Sequence, residues 1–72
     1  MSINVENVAQ AYAATLADAI KNKWLTWNRA MALIEDMTGH MPLARAGQRR
    51  FAHLTHNALD HIISMGKKEA KP

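Results

Sequence analysis

Cysteine is absent from the chain, which closes the disulfide route to stability and removes any zinc site built on thiolates. Long apolar runs are missing too: none approaches the roughly 18 residues that a helix needs to cross a bilayer. No membrane span and no membrane partner are therefore expected. The opening segment MSINVENVAQ carries neither the basic nor the apolar part of a secretion signal, so a cytoplasmic location is the expectation. There is no Gly-rich phosphate loop, no aromatic pair for stacking bases and no carboxylate pair in a foreseeable pocket. The only serines are Ser2 and Ser64. His61 stands one helical turn from Ser64 but without an orienting acid, so no nucleophile, no enzyme activity and no cofactor are expected.

What is present is short, apolar and mildly basic. A chain of 72 residues makes one domain and buries only about 60% of its unfolded surface, so a partner subunit is a natural source of further stability. The net charge of +3 is unevenly placed: residues 1–40 hold three Lys/Arg against four Asp/Glu, and residues 41–72 hold six against two. That asymmetry suits contact with an acidic protein or with nucleic acid.

Periodicity predicts an all-α fold: a helical hairpin followed by a longer third helix, in one domain over residues 1–66 with a flexible basic tail at 67–72. In residues 3–22, Val5, Val8, Ala9, Tyr12, Leu16, Ala19 and Ile20 recur at spacings of three and four, the pattern of one apolar helical face. Ser2 or Asn4 can cap its start, and the chain breaks near Asn22. The second helix opens at Thr26, with Leu25 positioned to staple onto Ala30. Its apolar stripe is Trp27, Met31, Ile34 and Met37, and Gly39 is expected to stop it in the left-handed region. The third helix starts between Pro42 and Gln48 and is expected to close at Gly66, with Ala44, Phe51, Leu54, Ala58, Ile62 and Met65 as its core line.

Two features exceed what three helices need. The third helix extends its apolar arc through Ala52, Leu59 and Ile63, which are expected to form a homodimer interface, while Leu33 lies on the polar side of the second helix as a candidate partner contact. On the first helix Ala11, Ala13, Ala14 and Ala17 form a back of small residues that another helix can approach closely.

Three arginines, Arg45, Arg49 and Arg50, fall in the first turns of the third helix, where the helix dipole disfavours cations. Either Glu35 and Asp36, at the end of the preceding helix, offset them, or they await an anionic partner, which the planar guanidinium fork suits. Three arginines beside the histidines His53 and His56 make a thin phosphate footprint, and the TGHMP connection fits a helix-turn-helix poorly. Nucleic-acid binding therefore ranks behind protein binding. His53, His56 and Asp60 share a helical face but lack a fourth ligand, so no metal is expected, and His56 is expected to pair with Asp60 on the surface. Trp24 and Trp27 are expected to form an aromatic lid over the core, with Trp24, outside both helices, also a candidate partner contact. Met31, Met37 and Met65 are expected to fill the core. The expected function is that of a homodimeric interaction module which binds and masks a larger, acidic protein through Arg45, Arg49, Arg50, Trp24 and Leu33.

Overall fold

The computed structural model describes residues 4–70, with side chains described through residue 66. Its first helix, α1, runs Val5–Lys21 and starts where Asn4, in an extended conformation, accepts the Asn7 N–H on its side-chain oxygen at 3.1 Å. Glu6 in the first turn and Lys21 in the last both suit the helix dipole. The exit is a Schellman turn: the Lys23 N–H donates to the Ile20 carbonyl at 3.0 Å and the Trp24 N–H to the Ala19 carbonyl at 2.9 Å. Such a turn needs one left-handed residue, and here that residue is Lys23, at φ 63°.

The second helix, α2, runs Trp27–His40, with the Thr26 hydroxyl accepting the Arg29 N–H at 3.2 Å. The expected stop at Gly39 is not used: no described glycine has positive φ, and Gly39 lies inside the helix. Met41 ends α2 instead, in an extended conformation, because it precedes Pro42 and the proline ring crowds a helical residue before it. The third helix, α3, runs Arg45–Ala70, about 39 Å at 1.5 Å per residue. It passes through Gly66 rather than ending there. Of the tail 67–72, expected to be flexible, residues 67–70 continue α3 as backbone; their side chains, and residues 71–72, lie outside the described residues.

The helices form an up-down-up bundle with α3 as its spine. α1 runs parallel to α3, since Glu6 meets Arg50 at one end and Lys21 lies over Gly66 at the other. α2 runs antiparallel to α3: Trp27, at its start, packs edge-on to His56, and Gln48 Nε2 donates to the Met41 carbonyl beyond its end. α1 and α2 touch each other little. Their main link is Tyr12, whose hydroxyl donates to the Leu33 carbonyl at 3.2 Å while its ring stacks on Phe51 at 6.2 Å.

Small side chains let the helices close. Ala9, Ala13, Leu16 and Ala17 of α1, Ala30 and Ile34 of α2, and Phe51, Thr55 and Leu59 of α3 are buried. Thus Ala13 and Ala17 do admit a helix at close range, but that helix belongs to the same chain. On α3 the central row is 51, 55 and 59. Buried Thr55 is satisfied by its own helix, its hydroxyl donating to the Phe51 carbonyl at 2.7 Å. Five residues of the expected apolar faces lie on the surface: Val8, Trp27, Met37, Ala44 and Met65 are exposed. Met31 is half-buried against the core.

Candidate functional site

The arginines at the start of α3 separate. Arg50 Nη2 bonds Glu6 Oε1 of α1 at 3.0 Å, an exposed pair that ties the first turn of α1 to α3. Asp36 stands opposite His40, Nδ1 to Oδ1 3.8 Å, while the same ring nitrogen lies 2.8 Å from the Asp36 carbonyl and can donate to it. The expected offset of Arg45 and Arg49 by Glu35 and Asp36 is therefore not made. Among the described residues, Arg45 and Arg49 form no ion pair. Both are exposed, four residues apart on one face at the positive end of the α3 dipole.

The histidines do not converge. His53 Nε2 lies 3.2 Å from Asn57 Nδ2 and accepts from it, and His56 turns edge-on to Trp27 at 6.4 Å instead of pairing with Asp60. Among the described residues, no three of His, Asp and Glu stand close enough together to hold a metal ion. The one phenol, Tyr12, titrates above its ordinary value, first because burial disfavours the anion and second because the Asp36 charge repels it.

One residue of the expected dimer face is spent within the chain. Leu59 is fully buried, and Ala52 and Ile63 are half-buried against the core cluster. The arc is wide because α3 meets two helices, α1 along one flank and α2 along the other. Leu33, expected as a partner contact, also packs on this cluster. Trp24 departs from the lid expected of it: it is 83% exposed, carried outward on the Schellman turn. Trp27, at 37%, is largely on the surface as well.

Sequence reasoning missed a groove of about 650 Å³ between the parallel α1 and α3. Ala14 of α1 and Leu54, Ala58 and Ile62 of α3 form an apolar floor, and Glu6, Gln10, Asn57 and His61 form the rim. The spacing of Glu6, Gln10 and Ala14, four residues apart, held the signal for one wall. The parallel pairing that sets this wall against Leu54 and Ile62 is a tertiary fact.

No protein-family model, curated protein or solved structure matches this chain.

Proposed function

We propose that the chain is a non-enzymatic helical interaction module which, as a homodimer, binds and masks a larger protein bearing an acidic patch. The observation that carries this reading is the state of Arg45 and Arg49: exposed, without an ion pair among the described residues, and placed where the helix dipole adds to their charge rather than offsetting it. A carboxylate cluster brought to this end of α3 would meet two planar forks and the positive dipole together. Arg50, held by Glu6, contributes less. Nucleic acid is the second reading, since the same forks suit phosphate, but two arginines on one face make a small footprint.

Capture from extract of the source organism, with and without nuclease, tests the two readings together. The parent chain is expected to retain one specific protein after nuclease digestion, and an Arg45→Ala/Arg49→Ala variant with unchanged helicity is expected to lose it. An association abolished by nuclease, or duplex DNA binding whose log K falls against log[salt] by about 0.9 per phosphate contacted, would overturn the acidic-protein reading.

A further inference from the structure

Two apolar features mark the described surface: the exposed indole of Trp24 and the apolar-floored groove between α1 and α3. Among the described residues Trp24 is the most exposed large hydrophobic side chain, and its backbone is fixed rather than loose, because its own N–H closes the Schellman turn on Ala19. An indole left in water forgoes the burial of roughly 200 Å². The α1/α3 groove, floored by Ala14, Leu54, Ala58 and Ile62, has the volume and the lining that accept such a ring. We infer that the two belong to one contact: in a twofold dimer, Trp24 of each copy inserts into the α1/α3 groove of the other.

The exchange presupposes the homodimer proposed above and is independent of the acidic partner. Its register follows from the chain. Trp24 comes ten residues after Ala14, the α1 residue at the near end of the groove, so the indole lies roughly 15 Å beyond that end along the α1 direction. A twofold axis crossing α1 near Ala19 brings each Trp24 level with the other copy's Ala14, the two α1 helices lying antiparallel. The same axis sets Asp18 of each copy within about 1.5 Å, one residue's rise, of the level of the other copy's Lys21. Both side chains are exposed, so the register places opposite charges together. Met65, 47% exposed on α3, adds apolar surface at the end of the molecule where Lys21 meets Gly66. Two indoles and the walls they cover remove on the order of 800 Å² from water, short of the ~1,200 Å² of a small stable interface. The α1 flanks supply the remainder.

The test uses the full chain carrying Trp27→Phe, so that Trp24 is the sole indole. Sedimentation equilibrium and fluorescence are followed together across the micromolar range. The expected result is conversion to dimer mass with a parallel shift of emission to shorter wavelength and loss of quenching by iodide. Trp24→Ala and Ala14→Arg are each expected to remain monomeric with unchanged helicity, since both positions are exposed. Mixing the two is expected to restore one of the two contacts, read as a blue shift of the indole of the Ala14→Arg chain. A dimer whose Trp24 stays fully quenchable overturns the exchange and leaves the homodimer standing. A monomer at every concentration overturns both and leaves the groove to a helix of another protein.

Discussion

Lys23 holds a backbone conformation that costs an L side chain roughly 1–2 kcal/mol and glycine almost nothing. The pentapeptide NKWLT points one position too early, because the usual marker of a left-handed helix exit is Gly or Asn and its Asn22 keeps φ −85° while the next residue turns; the turn was legible as a break near Asn22 but not in its geometry. Lys23→Gly should relieve the strain, while the greater freedom of glycine in the unfolded chain returns part of the gain. The expected net effect is a stabilisation of about 0.5–1 kcal/mol in urea unfolding; a loss of stability would mean that the lysine side chain itself holds the turn. Tyr12 makes a second residue-scale prediction. Its phenol pKa is raised above 10.0 by burial and by Asp36, so the folded chain holds that proton more tightly than the unfolded chain. The stabilisation is whole below pH 10.0 and is lost as pH rises through the higher folded value. Urea midpoints measured across this range should fall more steeply for the parent than for Tyr12→Phe, and equal slopes would contradict the assignment.

At the scale of the element, starts were easier to read than stops. Asn4 and Thr26 cap their helices as their side chains dictate, because a cap is a local bond between a side chain and a backbone N–H three residues on. Gly39 and Gly66 misled, because glycine permits a left-handed exit without requiring one. What ended α2 was Pro42, acting through Met41. The difference can be measured. In a left-handed cap, Gly39→Ala would destabilise; within a helix, with nothing inside 4 Å of the added methyl group, it should stabilise by about 0.5–1 kcal/mol. Thermal or urea unfolding with the sign reversed would return Gly39 to the cap. Gly47 behaves differently, since a Cβ there would stand 3.2 Å from Leu43 Cβ, and that close seat of Leu43 marks the turn into α3.

For the whole molecule, three helices and their apolar faces were legible, but which faces meet was not. An apolar arc on α3 has the same sequence pattern whether it awaits a second chain or two helices of its own, and Leu59 shows which: it is fully buried inside the fold. Likewise Arg50 and Glu6 are 44 residues apart, so no local spacing could pair them, and the groove that Glu6 borders exists only because α1 and α3 run side by side in the same direction. That arrangement also constrains the order of events during synthesis. α1 and α2 lean on α3 and hardly on each other, and α3 is made after both of them. A nascent chain ending before Phe51 offers Ala9, Ala13, Leu16 and Ile34 no surface to cover, and its short helices are marginal alone. Folding of these three helices therefore waits until α3 has been made, and the chain that still lacks α3 is the form most exposed to proteases and chaperones.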